Sequence, residues 1–245
     1  MTWAVTLDFH NTIATCDDWF QIEVYDLIPA FFAWRAATAG VMTPQEVIDR
    51  GRNRYRQLRQ EVMDSGNELD ASAGIAAVLQ SLGMAVDAAE VERALADIFN
   101  PTLETTTPVE GIVEAVRSLE ASGVRLIVIS SAAFHPFLEW TLAQFGIDEC
   151  FEAILTSAST GHYKSTPRIY EKAVELLDIP AARCIHVGDS ERFDVRPAAC
   201  VGMNTVLFSQ AGQHNCGESE ADLCVQSLRD LPERLQTRFG IPLEI

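Results

Sequence analysis

Positive charge is scarce in this chain. Lys and Arg number 18 against 35 Asp and Glu, a formal net charge of −17 over 245 residues. A surface this acidic repels polyanions, so nonspecific binding to nucleic acid or to an anionic membrane is excluded unless a local basic patch intervenes. An anionic ligand such as a phosphate would need a specific cation held against that field. Long apolar runs are also missing, and no stretch reaches the length needed to cross a bilayer. The N-terminal MTWAVTLDFHNT has neither a basic n-region nor a long apolar core, and does not read as a secretory signal. The six cysteines, Cys16, Cys150, Cys184, Cys200, Cys216 and Cys224, form no CxxC pair and fit no zinc spacing. They read as reduced, buried thiols of a cytoplasmic protein. Internal repeats, low-complexity tracts and long linkers are absent.

What is present is an ordinary globular composition, 48% hydrophobic and 22% charged, which excludes disorder for most of the chain. The length suits one large α/β domain, or a core carrying a smaller domain. The rhythm of the sequence divides it. Residues 3–7 (WAVTL) form a short apolar run with strand character. Residues 17–100 are helical in pattern throughout. Pro29 should kink or divide the first helix, Thr43-Pro44 should open the second with Thr43 as N-cap, and Asp70 and Asp87 should cap two more.

After Pro101 strands and helices alternate: VRLIVIS, FEAILT, RCIHVG, MNTVLF and ADLCVQS read as strands with helices between them. The expected fold is therefore α/β, a doubly wound parallel sheet that includes residues 3–7. The expected division is a Rossmann-like core of residues 1–14 and 103–245, with an all-α domain inserted at 15–102. Residues 209–221 read as a polar surface loop.

Ligands of such sheets bind at the carboxyl ends of the strands. Asp8, Ser130 and Asp189 stand at three of those ends, and Lys164 lies in the loop after FEAILT. A glycine-rich GxGxxG loop does not follow the first strand; DFHNT does, which excludes a nicotinamide site there.

Four segments in order, VTLDFHNTI, LIVISSA, GHYKSTPRIY and HVGDSERFD followed by VRPAACVGM, resemble the motifs of the haloacid dehalogenase superfamily over residues 3–13 and 108–208. The helical insertion resembles that superfamily's commonest cap class. The resemblance implies a magnesium-dependent (Mg2+) phosphatase of small phosphorylated metabolites, with Asp8 as nucleophile. Asp8, the main-chain carbonyl of His10, Asp189 and Asp194 would serve the ion. Ser130 and Lys164 would hold the phosphoryl oxygens, and Asn11, Thr12 and Ser131 would complete the substrate cradle. These are the residue types phosphoryl transfer needs: a carboxylate to form an aspartyl-phosphate, hard oxygens for the ion, and a cation for the phosphoryl charge.

His10 is a departure, because phosphatases of the superfamily usually carry Asp two residues after the nucleophile. His10 would be the acid/base, or would mark a leaving group that needs no acid, or a weakened site. Two alternatives stay open: a metal-independent hydrolase of the dehalogenase type, and a non-catalytic binding protein on the same fold. Ser165, where Pro is usual, and Ser131, where Asn is frequent, are milder departures.

In the insertion, Arg52, Arg54, Arg56 and Arg59 crowd one helix. They read as a solvated face paired with acids such as Asp49 and Glu61, with a grip on an acidic substrate group as the alternative. His135 and His162 flank motif positions without an evident role. Trp19 and Phe20 lie nearest the first motif and suit the substrate entrance. A small-molecule substrate and a monomer or homodimer are expected.

Overall fold

A computed structural model describes residues 2–210 and 216–243. Six strands form one parallel sheet: β1 (Ala4–Leu7), β4 (Arg125–Ser130), β5 (Ala153–Thr156), β6 (Cys184–Gly188), β7 (Asn204–Phe208) and β8 (Leu223–Val225). Their spatial order is β5-β4-β1-β6-β7-β8, so the order reverses at the central β1, as in doubly wound folds. All four residues of β1 are buried, which explains its unbroken apolar run.

Alternate residues of β4 serve opposite faces. Leu126 and Val128 join one core with α6 (Ile112–Ala121), α7 (His135–Phe145) and α11 (Leu231–Phe239). Ile127 and Ile129 join a second core with α9 (Arg168–Leu177) and α10 (Arg196–Cys200). The short α8 (Ser157–Thr160) follows β5 directly.

The helices between residues 17 and 99 stand outside the sheet: α1 (Asp17–Gln21), α2 (Leu27–Ala39), α3 (Gln45–Ser65), α4 (Ala71–Ser81) and α5 (Ala88–Phe99). The chain leaves and re-enters through a small antiparallel ribbon, in which β2 (Ala14–Thr15) pairs with β3 (Thr107–Pro108). Pattern reading had no means of finding two-residue strands. The insert shares the first core with the sheet, through the stacked rings of Trp19 and Phe137 (5.0 Å) and the edge contact of Phe9 on Trp19 (5.9 Å).

Several sequence expectations meet local detail here. Pro29 does divide its helix: a π-helical turn, Ile22–Asp26, precedes α2. Proline lacks an N–H, and its ring would meet the Tyr25 carbonyl in a regular helix; the wider turn relieves both problems. Asp70 and Asp87 cap α4 and α5, each accepting backbone N–H bonds. The Thr43 cap is not found. Pro44 is extended at ψ 141 and stands at the N-cap itself, so α3 opens without a side-chain cap.

The thiols need a correction as well. Cys216 and Cys224 form a disulfide and Cys200 is exposed, whereas Cys16 and Cys184 are buried. Cys224 lies on the edge strand β8, within reach of the loop that returns to it. Of the polar loop expected at 209–221, residues 211–215 lie outside the described residues. Among the described residues no helix is long and apolar enough to cross a membrane.

Candidate active site

The sheet's carboxyl edge assembles the site. Asp8 follows β1 and is anchored there by its own N–H, which donates to the Val187 carbonyl of β6 at 2.9 Å. Ser130 ends β4. Asp189 follows β6, and Asp194 sits in a π-helical turn, Glu191–Val195, just beyond it. Lys164 comes from the loop between α8 and α9. All five line one cavity of about 360 Å³, a volume suited to a small metabolite.

Lys164 is the electrostatic centre. Its buried ammonium contacts Asp8 Oδ1 at 2.5 Å and also pairs with Asp194 Oδ1. Burial alone would lower the lysine's pKa; Asp194 and then Asp8 overcome it and hold the group charged. Asp194 is fully buried and wrapped in donors. Besides Lys164 it accepts from His186 Nε2 at 3.0 Å and from the Ser190 N–H at 2.9 Å. These donors keep its carboxyl well below the usual carboxylate range, although burial opposes them. Because a carboxylate only accepts, the His186 ring proton sits on Nε2. Nδ1 then accepts from Thr6 Oγ1 at 2.8 Å. Tyr170 closes the shell from α9, donating to the Phe193 carbonyl at 2.6 Å.

Asp8 and Asp189 are less well matched. Burial pushes the Asp8 carboxyl up to about 8; Lys164 opposes this, while Asp194 and Asp189 add to it. Burial and then Asp194 push Asp189 up to about 6. Oxygens of Asp8, Asp189 and Asp194 come within 4.8 Å of one another. Three carboxylates thus face one ammonium. A hard divalent cation with oxygen ligands fits that donor set and that surplus of negative charge. The residues therefore suit magnesium.

The other expected site residues divide. Ser131 lines the cavity, and its Oγ accepts the Lys164 N–H at 3.2 Å. His10 lines it too, stacked on Phe20 at 4.5 Å. Its Nε2 lies 3.5 Å from Asp17, an ion-pair distance at which no hydrogen bond forms. Burial lowers its pKa, with Asp17 opposing. Trp19 and Phe20 form part of the wall.

Asn11 and Thr12 are a correction, because neither lines the cavity. The Asn11 N–H donates to Ala14 and the Thr12 N–H to Phe9, inside a turn that holds Asn11 at φ 61. The Asn11 side chain instead stands by Asp189 and favours its charged form. His135 bonds Thr156 Oγ1 at 3.0 Å, and neither His135 nor His162 borders this cavity.

Of the arginines, Arg54 pairs with Glu61, while Arg52 and Arg56 both face Asp26 at 3.4 and 3.9 Å. Arg59 departs from the solvated face that was expected. It is buried and bidentate on Glu68, which also accepts from Ser157 Oγ at 2.6 Å. Arg56 borders a second cavity of about 500 Å³ that shares Val24, Tyr25 and Met63 with the first. The sequence carried no signal for Glu23, Tyr25 and Met63 as cavity walls, since they lie on helices outside the motifs; Tyr163 and Phe193 lie inside the third and fourth motifs, each next to a site residue, and were not singled out.

A doubly wound sheet with a buried carboxylate–lysine cluster at its carboxyl edge defines a hydrolase core of the haloacid dehalogenase type. The sequence model of the haloacid dehalogenase-like hydrolases matches residues 4–202, and the chain belongs to that family. Among curated proteins it is 34% identical over 118 residues to bovine (Bos taurus) haloacid dehalogenase-like hydrolase domain-containing protein 3, covering 48% of this chain and 45% of that one. It is 32% identical over 101 residues to glyceraldehyde 3-phosphate phosphatase of Pyrococcus abyssi, covering 41% and 42%. The chain thus spans less than half the length of these relatives.

Whole-chain likeness appears among solved structures. A haloacid dehalogenase-type phosphatase from Thermococcus onnurineus matches with TM-score 0.63 at 17% identity, covering 96% of this chain and 98% of that one. A 2-haloacid dehalogenase from Pseudomonas syringae pv. Tomato matches with TM-score 0.68 at 19% identity, covering 97% and 99%. At such identities the likeness concerns the fold alone, and both chemistries occur on it.

Proposed function

We propose that this chain is a magnesium-dependent phosphatase that hydrolyses a small phosphorylated metabolite through an aspartyl-phosphate. One observation carries the reading: three carboxylates, Asp8, Asp189 and Asp194, gather around the single Lys164 ammonium at the floor of one cavity. Hydrolysis at carbon without a metal can use one further carboxylate to activate water, but the pair of Asp189 and Asp194 beside the nucleophile makes better sense around a cation. Phosphoryl transfer needs a cation there, because a carboxylate must approach an anionic phosphate.

In this reading an Asp8 oxygen attacks phosphorus and the bond from phosphorus to the leaving oxygen breaks. Water then attacks the phosphorus of the aspartyl-phosphate, freeing phosphate and restoring Asp8. Lys164 and Ser130 hold the equatorial oxygens throughout. His10 borders the cavity and in this reading moves the proton. Asp8, Asp189, Asp194 and the His10 main-chain carbonyl would hold magnesium, which when bound supplies neutralising charge. His186, Ser190 and Asn11 orient those ligands.

Residues 15–102 act as a cap that excludes water and selects the substrate. Two arginines share Asp26, and Arg56, over the Tyr25 ring and 3.9 Å from that carboxylate, is the more loosely paired of the two. A substrate whose far end carries a second anionic group fits that mouth.

The test is p-nitrophenyl phosphate hydrolysis with magnesium, with EDTA, and with Asp8→Asn as the blank. Turnover that needs both magnesium and Asp8 supports the reading. Turnover that survives EDTA or Asp8→Asn overturns it.

A further inference from the structure

The sequence motifs leave one buried acid unexplained. Glu23 sits in the π-helical turn of the cap, 1% exposed, and borders the reaction cavity beside Ser130 and Ser131. Its two oxygens accept the N–H groups of Ala133 and Phe134, each at 3.0 Å. Those amides belong to the core, in the loop that leads from β4 into α7. Phe134 is the N-cap of α7 and has no side chain able to cap it. The first amides of a helix need acceptors, and Ser, Thr, Asp or Asn at the N-cap usually supplies one. No N-cap side chain does that for α7; Glu23, 111 positions away in sequence, instead accepts the N-cap's own N–H, the bond a capping-box Glu would make, together with the N–H before it. Negative charge at a helix N-terminus is also favoured by the helix dipole.

Glu23 is itself held in place. Tyr55, fully buried on α3, donates to the Glu23 carbonyl at 2.7 Å. The π-helical turn changes the helical phase ahead of α2, and such turns recur at functional sites.

The loop that Glu23 holds is the phosphate-site loop. Ser131 Oγ accepts the Lys164 N–H at 3.2 Å. The Ala132 carbonyl accepts from the Ala158 N–H and from Ser157 Oγ, both at 3.1 Å. The Ala133 carbonyl accepts the Ala71 N–H from the start of α4 at 2.9 Å. The core therefore grips this loop through residues 157, 158 and 164, and the cap grips it through Glu23 and Ala71. If the cap lifts, both of its holds are lost together.

We propose that Glu23 is a positioning residue: by holding the Ala133 and Phe134 amides at the entry to α7 from the cap domain, it makes seating of the cap and ordering of the Ser130–Phe134 loop a single event. Glu23 does not touch the reacting atoms. It acts through Ser131 and Lys164, whose placement depends on the loop. The activity readout of this proposal rests on the phosphatase reading; its structural readout does not.

The experiment uses the full chain with Glu23→Ala and Glu23→Gln, the second keeping one acceptor should the first fold poorly. Amide exchange is read residue by residue by NMR, with and without inorganic phosphate and magnesium. Inhibition by inorganic phosphate is measured on p-nitrophenyl phosphate turnover, well below each variant's Tm. Exchange at Ala133 and Phe134 should rise about tenfold or more in Glu23→Ala, while Val5 and Leu7 in β1 stay protected. Phosphate should then no longer restore protection of that loop, and its Ki should rise about tenfold, with Glu23→Gln intermediate.

Unchanged exchange at Ala133 and Phe134 would overturn the latch. Lost protection with unchanged phosphate Ki and kcat/KM would reduce Glu23 to a plain structural anchor of the loop and overturn the positioning role. If the wild-type protein turns over no phosphate ester, the phosphatase reading fails separately. The exchange arm, with phosphate as the probe, then decides the latch by itself.

Discussion

The Asp194 carboxyl group fills the space that a side chain on Gly188 would need: a Cβ there would fall 2.6 Å from Asp194 Oδ2. Gly188 ends β6, and its missing side chain lets the following turn fold back so that Asp194 meets Lys164 and His186. Gly188→Ala should therefore push Asp194 off its partners. We expect a loss of about 1–3 kcal/mol in unfolding free energy, as for an overpacked core site. Turnover should fall at least about tenfold, with a higher magnesium requirement. Urea unfolding and a magnesium titration of activity check this.

Lys164→Met leaves Asp8 and Asp194 buried without their common cation. Breaking a buried ion pair from one side costs about 3–5 kcal/mol. Loss of a charge-stabilising donor should lower kcat by about 10²–10³-fold. Magnesium should recover part of the stability and little of the rate. Thermal unfolding with and without magnesium reads the first effect, and steady-state kinetics the second.

Arg59 and Arg56 should behave differently although they share one helix. Arg59 is buried and forked on Glu68, so Arg59→Ala should destabilise by about 3–5 kcal/mol. Arg56 is half-exposed and 3.9 Å from its nearest carboxylate, so Arg56→Ala should change stability by about 0–1 kcal/mol. Its effect should fall on KM, and only for substrates with a second anionic group. A comparison of p-nitrophenyl phosphate with a phosphorylated carboxylic acid separates the two.

Glu23 gives a pH signature with a definite sign. Burial raises its carboxyl to about 7, although Arg59 and the two amides favour the charged form and Glu68 opposes it. Between about pH 4.5 and 7 the folded protein keeps a proton that the unfolded chain has released. Its contribution to stability must therefore fall as pH rises through that window. Glu23→Gln has no such dependence. Whatever its offset, the variant should gain about 3 kcal/mol relative to wild type between pH 4 and pH 8. Urea midpoints across that range test it.

Alkylation of the native protein without reductant should modify Cys200, which is exposed. It should spare the Cys216–Cys224 pair and the buried Cys16 and Cys184. Peptide mass spectrometry reads out each position.

Asp8, Ser130 and Asp189 stood out in the sequence because each ends or directly follows a strand whose apolar run is unmistakable, whereas Lys164 and Asp194, in a loop and a turn further on, were marked by the motif resemblance. The six strands of the sheet were legible from the same apolar runs. His186 and Tyr170 were not, since they lie within a buried strand and helix, where any residue of the right bulk satisfies the pattern. Their meaning comes from facing Asp194 in space. Glu23 looks like one more acid on an amphipathic helix, and only the π-helical turn and the distant amides distinguish it. The Cys216–Cys224 pair escaped because its loop has no periodicity, and spacing alone does not show which thiols meet. The start of α3 was misplaced by one residue: a proline is tolerated at either the N-cap or the first helical position, and the sequence did not choose between them.

The order of strands has a consequence for how the molecule comes into being. β1 is made first, yet it lies in the middle of the sheet, with Ala4 beside Arg125 on one flank and Cys184 on the other. During synthesis it must wait until both distant partners have emerged. The helices of the insert make mostly local contacts and can form meanwhile, whereas closing the long loops around β1 is slow. The sheet's carboxyl edge, with Asp8 at the tip of that waiting strand, is therefore among the last parts of the protein to take shape.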